Sequence, residues 1–320
     1  MARSARNETG RADTDAGVDL STRVGSVELP NPVMTASGTA GHGAELSAYV
    51  DLSRLGAVVV KSLSPYEWEG NPPPRVYETA AGMINAVGLQ NPGVEAWRRD
   101  ELPALAKTGA RVVASIWGRS LDDYRRAGEQ LAGVEGVVAV EVNVSCPNVE
   151  DRFSMFAHAP DSAKAAIEAA SACGLPMWAK LSPNVTDLVS IAAAAVDGGA
   201  EALTLTNTVM GLVIDPETLR PRLGNGGGGL SGPAIRPVAV RGVFEVHKAL
   251  PSIPIVGVGG IAQAAHAVEF LAAGASAVQV GTATFADPKA STLVLDGLAS
   301  WCRDHNISTL ETLIGAAHDH

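Results

Sequence analysis

The sequence predicts an α/β chain folded as one (β/α)8 TIM barrel, and three observations carry that prediction: its length, its aliphatic composition, and eight alternating strand and helix units. The chain has 320 residues, within the range of a single barrel of this kind. It is 46% apolar but only 4% aromatic, so its core must be built from Ala, Val, Leu and Ile rather than from rings, the profile of an α/β protein and not of a disordered chain. Short β-branched runs fall at 33–35, 58–61, 112–116, 137–143, 177–180, 202–205, 255–258 and 277–280, with Ala-rich helical stretches between them. An open, doubly wound sheet is the alternative arrangement of the same units.

Residues 1–17 mix Arg3, Arg6 and Arg11 with Glu8, Asp13 and Asp15 and hold no apolar block. They read as a disordered tail rather than a signal peptide or membrane anchor, which leaves 18–320 as a single domain. At 24–29, two apolar runs flank Gly25-Ser26 and spell a small hairpin placed to plug the barrel floor. No later apolar run approaches the roughly 18 residues a bilayer requires. Two connections are too long to be plain turns. The first, 62–100, holds Asn71-Pro72-Pro73-Pro74 and then Asn85, Gly88 and Asn91-Pro92-Gly93; the second, 209–237, holds four successive glycines at 226–229. Both follow strand ends, the catalytic face of a barrel, and so read as cover for a substrate; for the glycine run a surface embellishment is the competing reading.

Charge and sulfur narrow the clients. With 24 Lys and Arg against 34 Asp and Glu, the net charge is −10, which argues against a nucleic-acid or anionic-membrane partner held by charge and favours a small molecule. The three cysteines, Cys146, Cys173 and Cys302, have no paired spacing; they fit reduced thiols of a cytoplasmic protein and exclude a disulfide scaffold. His42, His158, His247 and His266 are scattered without ligand spacing, and His318, Asp319 and His320 read as a frayed end, so no metal site is expected.

A barrel gathers the polar residues at its strand ends around one mouth. Here these are Ser37 with Gly38-Thr39, Lys61, Ser115, Asn143, Lys180, Asn207-Thr208, Gly259-Gly260 and Gly281-Thr282. Two lysines and two asparagines are costly there unless an anionic, hydrogen-bonding ligand sits among them, although one such lysine could belong to a structural ion pair. Gly259-Gly260 after the seventh strand and Gly281-Thr282 after the eighth turn bare backbone N–H groups toward one point, where barrels often seat a phosphate; Gly232 could add a further amide. Cys146 follows the fourth strand in Asn143-Val144-Ser145-Cys146-Pro147-Asn148. A thiol whose ordinary pKa is about 8.5 needs only a modest shift to act as base or nucleophile. Cys173 and Cys302 lie in helical contexts and read as inert apolar residues.

Several separated motifs resemble one family. They are Ala36-Ser37-Gly38-Thr39, Gly70-Asn71-Pro72 with Pro74-Arg75, the run from Gly82 to Gly93, Asn143 to Val149, Lys180-Leu181-Ser182-Pro183-Asn184, Asn207-Thr208, Gly229 to Ala234 and Gly281-Thr282. Together they resemble the flavin-dependent dihydroorotate dehydrogenases, in particular the soluble class 1, B-type catalytic subunits, over nearly everything from Val24 to Leu313. The resemblance implies FMN as cofactor and oxidation of dihydroorotate to orotate in pyrimidine synthesis. It implies that Cys146 is the base that removes the C5 proton while C6 delivers hydride to the flavin N5. Lys61, Asn85, Ala86, Val87, Gly88, Leu89, Asn143, Asn207 and Thr208 match positions that hold the substrate, with Asn148 assisting. Lys180 matches the lysine at the flavin pyrimidine edge, and Ser37, Lys61, Ser62, Ser115, Asn143, Thr206, Gly232, Gly259, Gly260, Gly281 and Thr282 match the rest of the FMN shell. B-type members pair with a second subunit carrying FAD and an iron–sulfur cluster, through which electrons reach NAD, so a homodimer joined to two such subunits is the implied assembly.

Two departures stand out. Ser115 occupies a place where the family commonly has Asn, which shortens the reach of one hydrogen bond to flavin or substrate. Residues 150–158 keep the length of a lid but carry bulkier residues than its usual glycines. Other readings of the same residues are an FMN barrel acting on a related ring, as in dihydropyrimidine dehydrogenase-like enzymes, the same dehydrogenase with fumarate or a quinone as acceptor, a barrel lyase using Lys61 or Lys180 as a Schiff base, and a non-catalytic flavin binder.

Overall fold

The structure is a computed structural model that describes residues 17–145 and 156–319. The expected tail up to residue 16, Cys146, Asn148, lid residues 150–155 and His320 lie outside the described residues. Eight parallel strands are hydrogen-bonded in one sheet: Val33–Thr35, Val58–Val59, Val112–Ile116, Val137–Asn143, Met177–Leu181, Ala202–Leu205, Ile255–Val258 and Ala277–Val280. The eighth pairs with the first through Val278 and Val33, and the first bridges the second through Met34 and Ala57, so the sheet closes into a (β/α)8 TIM barrel and an open sheet is ruled out. The second strand is regular over two residues instead of the four expected. Val60 still donates to the Val113 carbonyl at 3.1 Å, but the Lys61 amide turns away to the Gly41 carbonyl at 3.0 Å, which lifts that lysine out of the ladder.

Side chains alternate across each strand, and the alternation separates two apolar cores. Val58, Val112, Ala114, Ile116, Val140, Val142, Leu203, Leu205, Val278 and Val280 face outward into the core shared with the helices. Met34, Ala57, Val59, Val113, Ala139, Trp178, Ala202, Val256 and Ala277 face inward and meet the expected hairpin, Thr22–Val24 against Val27–Leu29. Val24, Val27 and Leu29 pack on that inner layer, so the floor is closed and the barrel is open only at the C-terminal ends of its strands.

The outer ring contains helices Val94–Asp100, Leu121–Leu131, Pro160–Ala170, Leu188–Asp197, Arg236–Ala249, Ala264–Ala272 and Ala290–Asp304. Their starts are written locally. Ser120 accepts from the Asp123 amide in a capping box, and Asp187 accepts from the Ser190 amide at 3.0 Å. Among the described residues no helix is long and apolar enough to cross a membrane.

The two long connections form one structure. Val76–Thr79 and Gly82–Asn85 from the first, and Val209–Gly211 and Gly228–Ser231 from the second, make a four-stranded antiparallel sheet in which Gly229 pairs with Asn85. Side chains at Gly228 and Gly229 would collide with the Asn85 carbonyl and with Thr208, so half of the glycine run is a close-packing requirement rather than surface decoration. The frayed C-terminus is corrected for His318. Its ring stacks on Phe244 with centroids 3.9 Å apart, and its Nε2 donates to the Ala273 carbonyl at 3.0 Å.

Candidate functional site

A cavity of about 360 Å³ opens at the C-terminal mouth of the barrel, roofed by the four-stranded sheet. Of the residues expected to hold substrate, Lys61, Asn85, Ala86, Val87, Gly88, Leu89, Asn143, Asn207 and Thr208 line it. Of those expected around a flavin, Ser37, Ser62, Lys180, Thr206, Gly232, Gly259, Gly260, Gly281 and Thr282 line it too. Ser115 is buried beneath, where its hydroxyl meets Ser62 Oγ at 2.9 Å and Ser37 Oγ at 3.3 Å. Sequence reading assigned no ligand role to other lining residues, among them Asn71, Met83, Met210, Asn225 and Phe285, which come from the roof and rim.

The amides are held in place by one another. Asn143 Nδ2 donates to Ser62 Oγ at 3.3 Å, while its Oδ1 accepts from Asn207 Nδ2 at 3.3 Å and from the Ser145 amide at 3.2 Å. Tyr124, on the helix after the third strand, donates its hydroxyl to the Asn143 carbonyl at 2.9 Å. The loop bearing residues 85–89 is anchored by Asn91, a residue to which the sequence analysis gave no role of its own. Its Oδ1 accepts from the Ser64 and Gly93 amides at 3.0 and 2.9 Å, and its Nδ2 donates to the Leu89 carbonyl at 2.8 Å. Leu89 is held at φ +62, a left-handed conformation that only an over-determined loop retains.

The two lysines differ. Lys180 forms an ion pair with Glu141 at 3.3 Å, and both are nearly or wholly excluded from solvent. Glu141 Oε2 also accepts from Gln279 Nε2 at 2.7 Å and from Thr204 Oγ1 at 3.2 Å. Barrel interiors are ordinarily filled by aliphatic layers, so this polar layer between the apolar floor and the cavity is a departure with a purpose. The signal that could have found it was parity: Glu141 lies two residues before Asn143 and therefore faces inward like it. Lys61 is half-buried, and among the described residues its ammonium has no hydrogen bond or ion pair. Burial, and then the Arg75 charge, hold its pKa below the usual lysine value. His42 stands nearby, kept neutral by burial and by the Lys61 charge, with a pKa lowered to about 4.

The phosphate corner has the bare backbone it needs. Among the described residues, the amides of Gly259, Gly260 and Thr282 donate to no protein acceptor. Gly259 and Gly260 sit at φ +141 and +70, and a Cβ on Gly260 would lie 2.7 Å from the Gly232 carbonyl. Free amides, a wall of small residues and one fixed and one unpaired cation suit a phosphate-bearing ring ligand beside an anionic one, so the residues present fit FMN. Among the described residues, no group of three or more His, Cys, Asp or Glu side chains is arranged to hold a metal ion.

The model of a family described as dihydroorotate dehydrogenase matches residues 19–301. A protein of Desulforudis audaxviator (strain MP104C) named dihydroorotate dehydrogenase B (NAD(+)), catalytic subunit, is 49% identical over 302 residues, covering 94% of this chain and 98% of that protein. A protein of Geobacter sp. (strain M21) with the same name is 46% identical over 299 residues, covering 93% and 98%. Two such matches, each spanning almost the whole of both chains, and a family model covering the entire barrel meet at the cavity just described: the chain belongs to the dihydroorotate dehydrogenase family.

Proposed function

We propose that this chain is an FMN-dependent oxidoreductase that converts dihydroorotate to orotate in pyrimidine synthesis. The observation that carries this reading is Lys61, a half-buried cation without an acidic partner among the described residues, set beside the amides of Asn143 and Asn207. An unpaired ammonium removed from water calls for an anion, and neighbouring amides can both donate to and accept from an imide-like ring, the two features of a dihydroorotate carboxylate and its pyrimidine. Ser37, Ser62, Lys180 and Thr206 would hold the FMN ring and Gly232, Gly259, Gly260, Gly281 and Thr282 its phosphate, and FMN held there would supply the acceptor for a hydride.

The chain's own residues do the rest. Lys61 anchors the substrate carboxylate, and Asn85 with the 86–89 backbone closes over the ring. Asn143, Asn207 and Thr208 orient its polar edge, with Asn148 assisting. The Cys146 thiolate takes the proton from C5; the hydrogen on C6 departs with its electron pair, and the C5–C6 double bond of orotate forms. Lys180, paired with Glu141 at the cavity floor, offsets the negative charge that arrives with those electrons. The relatives' name as an NAD-linked catalytic subunit supports a partner subunit as the route to NAD, with FAD and an iron–sulfur cluster in that partner. A homodimer joined to two such subunits in the cytoplasm completes the reading.

The test is a visible spectrum of the purified chain followed by anaerobic addition of dihydroorotate. A yellow protein that bleaches establishes flavin and substrate together. A yellow protein that stays yellow with dihydroorotate rejects the substrate, and a colourless chain that takes up no FMN rejects the reading altogether. Cys146→Ala should keep the flavin and lose bleaching by at least about a hundredfold in rate, the lower range for a positioned acid or base.

A further inference from the structure

The lysine at the cavity floor is only half of a buried unit. Four side chains from four different strands of the barrel meet there: Glu141 from the fourth, Lys180 from the fifth, Thr204 from the sixth and Gln279 from the eighth. Glu141, Thr204 and Gln279 are wholly buried and Lys180 is 5% exposed. Lys180 Nζ contacts Glu141 Oε1 at 3.3 Å and Gln279 Oε1 at 3.4 Å, leaving one of its three N–H donors for the cavity that it lines. Both oxygens of Glu141 are engaged, Oε1 by Lys180 and Oε2 by Gln279 and Thr204, so the carboxylate is locked by side chains from three other strands of the barrel. Glu141 is not among the residues that line the cavity. What it does for a ligand it does through Lys180.

We propose that Glu141 is a positioning residue for the reaction: its buried ion pair, braced by Gln279 and Thr204, fixes the Lys180 ammonium beneath the flavin with a counter-ion in place, so that a positive charge faces the reduced cofactor. This rests on the FMN reading above. The physical reason is the cost of an isolated buried charge. An ammonium out of water with no counter-ion tends to shed its proton rather than bear the desolvation cost, and the Glu141 carboxylate at 3.3 Å supplies that counter-ion. Gln279 and Thr204 add geometry: without them Glu141 could swing away from Lys180, and with them its orientation is set by the closed barrel. Among the described residues the other charged side chain lining the cavity is Lys61, just past the second strand; the Cys146 thiol, outside the described residues, is a further titratable group of the chain. Ser115, Thr204 and Gln279 are neutral.

The test measures the two-electron midpoint potential of bound FMN against pH, from 6 to 9.5, in the reconstituted holoprotein. The background is Cys146→Ala, so that the thiol assigned as the base does not titrate in that range. Glu141→Gln keeps the shape and one of the two accepting oxygens and removes the charge. The expected result is a new break in its curve, with the reduced flavin held about tenfold less tightly relative to the oxidised form on the alkaline side, about 30 mV for a two-electron couple. That break should vanish in Glu141→Gln/Lys180→Gln, which has no ammonium to titrate. A Glu141→Gln curve that runs parallel to the unaltered one, with no break, overturns the proposal. Should Glu141→Gln fail to accumulate as folded protein, Glu141→Asn, which also removes the charge, is measured the same way, and a parallel curve again overturns the proposal. Failure of the underlying reading is distinguishable: a Cys146→Ala protein that takes up no FMN sinks the flavin assignment and this inference with it, whereas FMN uptake with parallel curves sinks this inference alone.

Discussion

Asn91→Ala should loosen the substrate side of the cavity from a distance, and its magnitude can be worked from three hydrogen bonds. The side chain accepts from the Ser64 amide at 3.0 Å and the Gly93 amide at 2.9 Å, and donates to the Leu89 carbonyl at 2.8 Å, with Asn91 itself 3% exposed. Alanine leaves those three backbone groups without that partner. A buried group left unpaired costs about 1–3 kcal/mol, and the space vacated by one carboxamide admits a water that re-pairs some of them, so a loss near 3 kcal/mol is expected. That is roughly a 150-fold shift in the unfolding equilibrium at about 1.4 kcal/mol per factor of ten. Function should suffer in a particular way. Leu89 is held at φ +62, which for a side chain of its kind costs ~1–2 kcal/mol, and its carbonyl is the group that Asn91 releases. Freed, residues 85–89 relax away from the ring, and KM for dihydroorotate rises more than kcat falls. Asn91→Asp retains the two acceptor bonds but faces the Leu89 carbonyl with a second oxygen, so it should keep most of the stability and still raise KM. Urea unfolding followed by tryptophan fluorescence gives the first quantity and steady-state kinetics the second. A stability loss below about 1 kcal/mol together with an unchanged KM would refute the reasoning.

Three further outcomes follow from the geometry. His42 stays neutral in the folded protein down to about pH 4, whereas an exposed histidine takes its proton near 6.5. Between those values the unfolded chain binds a proton the folded chain refuses, so stability falls with pH by up to about 1.4 kcal/mol per unit over that window; in His42→Gln that component of the slope should disappear from the unfolding free energy measured at pH 4.5, 5.5 and 7. Gly260→Ala places a Cβ 2.7 Å from the Gly232 carbonyl at a φ of +70, which should weaken FMN binding at least tenfold in a flavin-fluorescence titration while the far-UV spectrum is kept; unchanged affinity would remove this corner from the cofactor site. Val27→Asp sets an unpaired carboxylate on the inner floor layer and should cost more than about 3 kcal/mol, against less than about 1.5 for Val27→Ile, as read by thermal unfolding; equal stability of the two would mean that the hairpin does not seal the barrel.

The barrel was legible because its strands are short, β-branched and separated by Ala-rich helices, and the runs at 112–116, 137–143, 202–205, 255–258 and 277–280 match the structure residue for residue. The second strand was overdrawn because Val60 and Lys61 continue the pattern while the backbone leaves for Gly41, a tertiary hydrogen bond that composition does not encode. Polar residues at strand ends pointed to the cavity because a barrel must collect them at one mouth. What lay beneath was harder: Glu141 sits inside Val-Glu-Val and reads as one exception in an apolar strand until its parity is set against Lys180 and Gln279, which are far from it in sequence. Asn91 was hidden by its neighbours, since Asn-Pro-Gly spells a turn whether or not the side chain anchors one. His318 was misread because termini usually fray, and only Phe244 and the Ala273 carbonyl, both distant in sequence, hold it down.

The roof over the cavity also dictates an order of events during folding. Its central pairing joins Asn85 to Gly229, 144 residues apart, and neither insertion has a sheet of that width by itself. Closing so large a loop is entropically expensive, and it becomes affordable only when the intervening strands have already brought the second and sixth strand ends to the same rim. The ligand-covering layer is therefore among the last parts to assemble. A chain interrupted before its sixth strand can hold helices and several barrel strands, yet it has no enclosed cavity, so competence for ligand reports on completion of the fold and a bound ligand stabilises only molecules that have finished it.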